Sequence, residues 1–441
     1  MPSIFEEITR TVIQKLDSRG DMIAVKSATN ADSFHCYCLV REKRTILGIQ
    51  YYKTALTLKD ILEREAGERP INEVDSMSSD QKTEFPILND VDTKGELTLE
   101  LPKAITTAGM AENSQGTQKQ EIRILVNQIP QQHLDSLVDR KLKRKLPPTF
   151  ETIHARRENL YLVTETLVTA NEETLRRERQ FKLKTWMNGW IPSFEHKVRI
   201  SQSNDGGEPA LAHLLQHQKT VTIPSQWVLG YRIKQLIFSS MDRMSICLSG
   251  NTKSFPEEND GSSSVIGKSS SLEDLRSIKE KVQDLRSGLQ DLTEKDRKDL
   301  LSCLTKVLNN DGILQHLEER VSEALISGEL PLGDPAGPLI NCLFNDDGIL
   351  VEERLEAVQE LLYSLTALSE DDQQLVHEAL EEGMLPLLMK QVENALEKNW
   401  NEYNNNPPDT GCDAEAQSLC AFYVVLSILL QLDDKANSAT S

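Results

Sequence analysis

Phe5, Ile8, Val12 and Leu16 recur on one side of a helical wheel, with Arg10 opposite and Lys15 on the flank. That period predicts an amphipathic helix over Phe5–Leu16. Beyond Gly20 the pattern shortens. Met22–Val25, Phe34–Val40 and Ile46–Tyr52 are brief β-like runs. Glu84–Pro102 and Gln120–Ile129 alternate (Leu97, Leu99, Leu101; Ile122, Ile124, Val126), as half-buried strands do. Glu63–Thr83 and the Gly/Ser/Thr-rich Thr106–Thr117 read as loops. Leu134–Lys145 reads as a basic helix stopped by Pro147-Pro148. Strand-like runs return at Asn159–Thr169, Phe181–Ile200, Val221–Ile223 and Val228–Phe238.

Asn251–Ser271, NTKSFPEENDGSSSVIGKSSS, has no apolar period and reads as a linker. After it the period is helical throughout. Leu272, Leu275, Val282, Leu285 and Leu289 form one stripe, and Lys295–Leu308, Ile313–Ile326, Val351–Leu368, Asp371–Glu381, Leu385–Trp400 and Ala414–Leu432 suggest further helices. Breaks fall at Gly333 to Pro338, Gly383 and Pro407-Pro408. The expected architecture is an α+β domain with a twisted antiparallel sheet over 1–250, a linker over 251–271, an all-α bundle over 272–435 and a disordered tail over 436–441.

Charge divides the chain at the same place. Residues 1–250 carry 34 Lys+Arg and 32 Asp+Glu, a net of +2; residues 251–441 carry 15 and 37, a net of −22. The stretch Arg140–Arg199 is the most basic, with 14 Lys+Arg against 7 acids. An acidic module tethered to a more basic one can screen it, a hint of autoinhibition.

Seven scattered cysteines without a CxxC pair, no N-terminal apolar signal and no N-x-S/T sequon fit reduced thiols in the cytosol. The apolar run Leu419–Leu432 is shorter than the roughly 18 residues of a spanning helix and reads as a buried core helix. His35-Cys36-Tyr37-Cys38 is the one dense His/Cys cluster; strand alternation puts Cys36 and Cys38 on one face and His35 on the other, so no shared metal is expected. Phosphate-cradling Gly-rich loops, HExxH and GxSxG are missing from the sequence. Neither an enzyme nor a cofactor is expected, and the acidic balance argues against nucleic acid.

FEEITRTVIQKLDSRGDMIAV, CYCLVREKRT and LTLKDILE, followed by ENLYLVTETL (158–167), KTVTIPSQWVLGYRIKQL (219–236), TKSFPEE (252–258), SEALISGEL (322–330) and LCAFYVVLSILL, stand in an order that resembles the gasdermin family. The likeness spans nearly the whole chain and crosses the linker. It implies a latent pore-former. The helical domain holds the front domain inactive, linker cleavage releases it, and the fragment binds acidic lipids, oligomerises and inserts as β-hairpins. The implied setting is cytoplasmic when intact, and the plasma membrane or a bacterial membrane after cleavage, with pyroptosis or antibacterial defence as the outcome.

The resemblance also assigns residues. Arg10, Lys15, Arg41, Lys43, Arg44 and Lys53 become candidate contacts to acidic lipids (phosphoinositides, cardiolipin, sulfatide), at ~1 kcal/mol each. Ile46, Leu47 and Ile49 become a hairpin tip that enters the headgroup layer or, before cleavage, docks on the helical domain. Pro86–Leu101 with Gln120–Ile129, and Asn159–Thr169 with Phe181–Ile200, are the expected membrane strand pairs, near the ~9–11 residues such strands need. Exposed linker positions suit proteases: Lys253 and Lys268 for a granzyme A-like enzyme, Asp260 for a caspase. The sequence departs from the family pattern at Gly250-Asn251, where a Lys is expected. Asp92, in NDVD, is a caspase-like position whose cleavage would inactivate the domain. The rival reading is a non-lytic acidic-lipid adaptor whose helical domain docks partners.

Overall fold

The computed structural model describes residues 4–17, 20–63, 91–100, 105–107, 121–180, 216–240, 242–247, 253–255, 275–308, 311–327, 339, 341–345, 347–405 and 414–433. Helix α1 (Ile4–Leu16) opens the chain. Strands β1 (Met22–Ala24), β2 (Cys38–Thr45) and β3 (Gly48–Thr57) follow, then a single turn, α2 (Leu58–Ile61). Next come β4 (Asp92–Glu100), β5 (Ile105–Thr107), β6 (Glu121–Gln128), α3 (Gln131–Ser136), β7 (Arg140–Lys141) and α4 (Pro148–Ala155). The front half closes with β8 (Leu160–Thr169), β9 (Glu173–Gln180), β10 (Gln216–Ile223), β11 (Val228–Ser240) and β12 (Arg243–Ile246).

Strand β8 is the axis of the main antiparallel sheet. Along one edge it pairs with β11. Along the other, its first residues pair with β2 and its last five with β6, so the β2–β3 and β4–β6 hairpins share that edge. Both faces are covered. Leu162 packs in a cluster with α4 residues Phe150 and Ile153, while its neighbour Val163 packs with α1 residues Phe5, Ile8 and Val12. A strand buried on both faces reads as a continuous apolar run, which explains Leu160–Val163 and Leu167–Val168. Gly230 of β11 lets α1 approach closely: a Cβ there would stand 2.6 Å from Ile13 Cδ1. Strands β10, β9 and β5 form a smaller sheet.

Among the described residues the back half holds α5 (Leu275–Gly288), α6 (Glu294–Val307), α7 (Asp311–Ser327), α8 (Glu352–Ala367), α9 (Glu370–Glu381), α10 (Leu385–Asn405) and α11 (Ala414–Leu432). Helix α11 is apolar all round because α5, α6, α8 and α10 enclose it. Local signals set the starts. Thr293 accepts the Asp296 N–H at 3.1 Å, and Ser369 and Asp372 cap each other's backbone N–H.

Several expectations need correction. The basic helix expected over Leu134–Lys145 is α3 followed by β7; Asp139 takes a left-handed φ of 58°, and the segment beyond it has no apolar stripe to bury. Residues 34–37 are irregular rather than strand, with a turn at 36–37 and Tyr37 at φ 72°, so alternation does not govern His35, Cys36 and Cys38. Asn159–Thr169, expected to pair with Phe181–Ile200, holds β8 at the sheet centre, where it pairs with β11, β2 and β6. Phe181–Ile200 lies outside the described residues, as do most of Thr106–Thr117 and all of the expected loop Glu63–Thr83 except Glu63. The linker expected from Asn251 has Ser254 and Phe255 packed into the front domain, and the first helix of the bundle begins at Leu275.

Candidate membrane-binding face and its cover

The β2–β3 hairpin carries the densest set of candidate residues, and its turn breaks the usual rule. Two-residue hairpin turns favour Asn, Asp and Gly. Here Thr45 pairs with Gly48 across Ile46-Leu47, with Gly48 at φ +120° supplying the backbone freedom. An apolar pair at a hairpin tip is costly in water and needs a cover. Ile46 is 5% exposed and Leu47 6%, and both belong to the apolar cluster of the helical domain. Ile49, one step along β3, is 42% exposed.

Polar contacts surround the plug. The Ile46 N–H donates to Glu360 Oε1 at 2.9 Å, and Gln417 Nε2 donates to the Leu47 carbonyl at 3.4 Å. Burial lifts the Glu360 carboxyl to about 7, opposed by the Ile46 N–H and by Lys43 and Lys281. Lys43 Nζ bonds Gln359 Oε1, and burial, with Arg41 beside it, lowers its pKa. Arg41 is fully buried. It donates to Glu158 at 2.7 Å, reaches Ser322 of α7 and lies 5.1 Å from the Tyr52 ring centre. The Tyr52 hydroxyl donates to Glu318 at 2.6 Å; burial, the largest cause, pushes the Glu318 carboxyl up.

The seam extends past the hairpin. Lys26 Nζ donates to Gln50 at 2.6 Å and to the Tyr363 hydroxyl at 3.2 Å, over whose ring it sits. Ser27 donates to Gln315 at 2.7 Å, and Asn30 bonds Glu319. Arg156 pairs with Glu352 at 2.9 Å. Gln315, Glu318, Glu319 and Ser322 lie on one side of α7 at helical spacing, while Leu314, Leu317 and Val321 face the bundle core. A basic and aromatic surface of the front domain therefore meets an acidic and amide surface of the bundle.

The other candidate positions lie apart from this plug. Arg10 is an exposed α1 residue paired with Glu6 at 2.6 Å, and Lys15 is exposed in the last turn of the same helix. Arg44 has a side chain 60% exposed, 3.5 Å from Glu42. Lys53 is half-buried on β3. Asp92 is exposed at the start of β4, opposite Gln128 of β6. Lys253 is exposed; Asp260 and Lys268 lie outside the described residues. Sequence reasoning missed Lys26, Ser27, Asn30 and Tyr52, and every partner on α7 and α8. The one signal was the run of polar residues at helical spacing on α7, which reads equally as a solvated face.

Among the described residues no three His, Cys, Asp or Glu side chains are grouped to hold a metal, and no helix is long and apolar enough to cross a membrane. Burial pushes the Cys36 thiol up to about 12, the opposite of an activated nucleophile.

Comparison with known proteins fits this layout. A family model described as the gasdermin pore forming domain matches residues 4–257, and one described as the gasdermin PUB domain matches 274–409. Gasdermin-A of Homo sapiens is 30% identical over 413 residues, covering 90% of this chain and 84% of that protein. Gasdermin-D of Homo sapiens is 28% identical over 437 residues, covering 91% and 86%. A chain in the cryo-EM structure of the Gasdermin A3 membrane pore is similar at 22% identity, covering 58% of this chain and 99% of that chain. Its TM-score of 0.33 is below the level at which folds are equated. With a pore-forming-domain match over more than half its length and relatives matched across nine-tenths of it, the chain belongs to the gasdermin family.

Proposed function

We propose that this gasdermin is a latent pore-forming protein whose helical domain covers the lipid-binding and membrane-entering parts of its front domain. The observation that carries the reading is the Ile46-Leu47 tip seated in the core of the other domain, flanked by buried Arg41 and half-buried Lys43, with Lys26 reaching Tyr363 from the exposed rim. Proteolysis between the domains would free this face for acidic lipids (phosphoinositides, cardiolipin, sulfatide), with Arg10, Lys15, Arg44 and Lys53 adding attraction at ~1 kcal/mol each. Self-oligomerisation and insertion follow on the membrane. Strands β4 and β6 pair over nine and eight residues with β4 largely exposed, close to the length a membrane strand needs. The paired β9 and β10 are better placed to serve as the second hairpin than the central β8.

Runs such as ENLYLVTETL, KTVTIPSQWVLGYRIKQL and TKSFPEE lean the reading toward the gasdermin B type and a granzyme A-like protease, with a caspase as the alternative. The intact protein would be cytoplasmic and the released domain would act on the plasma membrane or on bacterial membranes, giving pyroptosis or antibacterial killing.

The test is dye release from cardiolipin-containing and pure phosphatidylcholine vesicles, using the full chain with an engineered protease site between positions 257 and 274. Release is expected only after cleavage, only from acidic vesicles, and less at high salt. Binding without release would favour the adaptor reading, and equal release before cleavage would end the latency idea.

A further inference from the structure

The short segment 253–255 is built into the front domain like a peg. The Ser254 N–H donates to Asn159 Oδ1 at 3.0 Å, and its carbonyl accepts the Phe238 N–H at 2.8 Å. Its hydroxyl oxygen accepts the Leu160 N–H at 2.9 Å. The Phe255 ring stacks on Phe238 with centroids 4.8 Å apart and meets the His154 and Phe150 rings edge-on at 4.7 and 6.1 Å. Ser254 is wholly buried and Phe255 nearly so, while Lys253 just before them is exposed. The segment thus presents a trypsin-like recognition residue whose scissile bond leads directly into buried, hydrogen-bonded backbone.

We propose that Ser254-Phe255 is a docking peg that withholds the Lys253–Ser254 bond from trypsin-like proteases. A protease must draw several residues on both sides of the bond into extended form, and backbone held by hydrogen bonds and burial resists this until it opens locally. Hydrolysis here, with water giving its hydroxyl to the Lys253 carbonyl carbon and its proton to the Ser254 nitrogen, requires the peg to undock first. A cut at this bond also sends Ser254 and Phe255 away with the helical fragment and empties the aromatic pocket of Phe150, His154 and Phe238. A cut after Phe255 leaves the pocket filled. This inference concerns which bond is available, and it stands whether or not the released domain makes pores.

The experiment is timed trypsin digestion of the full chain with mass-spectrometric quantification of the new N-terminus at Ser254. Each rate is divided by that of a synthetic peptide spanning residues 248–260 with the same residue at position 255, and Lys253→Gln identifies the product. The wild-type bond should be cut about tenfold or more slower than its peptide, as cleavage follows the population of the open state. Phe255→Ala should bring the ratio to within about threefold of one, with faster hydrogen exchange at the Phe238 amide that bonds Ser254. If Phe255→Ala does not fold, Phe255→Leu should give an intermediate ratio. A wild-type bond cut as fast as its peptide, or a variant bond as well protected as wild type, would overturn the proposal.

Discussion

At the residue scale, the seam turns on a few side chains whose charge is held in unusual surroundings. Glu360 is the clearest. Docking lifts its pKa from 4.5 to about 7, so the docked form binds the proton more tightly than an undocked one. The contribution is fully present below the ordinary carboxylate range and is lost as pH rises through about 7. Protection of the Ile46 amide, which donates to Glu360, should therefore fall between about pH 4.5 and 7, and level off above that, once intrinsic exchange is allowed for. In Glu360→Gln that dependence should flatten; an unchanged slope would remove Glu360 from the account. Arg41 and Arg44 show why position outweighs residue type. Arg41→Glu would set a carboxylate against Glu158 inside a covered site, so its effect would mix folding with binding. Arg44 is mostly exposed, and Arg44→Glu should weaken sedimentation of the cleaved protein with acidic vesicles by roughly tenfold, from about 1 kcal/mol of lost attraction plus added repulsion. Unaltered sedimentation would dismiss Arg44 from the lipid face.

At the element scale, the hairpin and the bundle helices divide the work. Leu47→Ala removes a buried side chain from the plug, at a cost of about 2 kcal/mol and a roughly thirtyfold rise in the undocked population. Hydrogen exchange at the Ile46 amide of the uncut chain should report that rise. In the bundle, a Cβ on Gly288 at the end of α5 would stand 2.7 Å from the backbone oxygen of Glu353 at the start of α8. Backbone cannot swing aside as a side chain can, so Gly288→Ala should destabilise the bundle by about 1–3 kcal/mol, seen as a lower unfolding temperature. The bundle helices were the legible part of the sequence: most have an apolar stripe, α11 is one apolar run, and Thr293 and Ser369 announce two of the starts. Strands were harder. Strand β9, ETLRRERQ, has no alternation to read and is a strand through its pairing with β10 and β5. The plug was half legible, because Arg41, Lys43, Ile46 and Leu47 cluster in the chain. Their partners lie roughly three hundred positions away and are brought close only by the docking of two domains.

At the scale of the whole molecule, the sign of charge on each half has a structural use. The near-neutral front half offers its cations at the seam, and the strongly acidic back half answers with Glu318 near Lys26, Lys43 and Arg41, Glu360 near Lys43, and Glu352 paired with Arg156. Long-range attraction of this kind is screened within about 10 Å at 0.1 M salt, whereas the buried apolar tip is not. Raising salt should therefore loosen the Arg156–Glu352 end, where Glu352 is 69% exposed, before it loosens the tip. Site-resolved hydrogen exchange at rising salt would show the two ends responding together if this division is wrong.

The seam's dependence on a two-residue plug has a consequence for what a single cut accomplishes. While the domains share one chain, each sees the other at an effective concentration on the order of millimolar for a short connection, and a modest seam stays shut. Once the chain is severed, the same contacts must hold two separate bodies by ordinary affinity. Dilution then favours parting without any change at the seam, and under the proposed function a bilayer would compete for the bared Ile46 and Leu47 with an avidity that grows as copies gather on its surface.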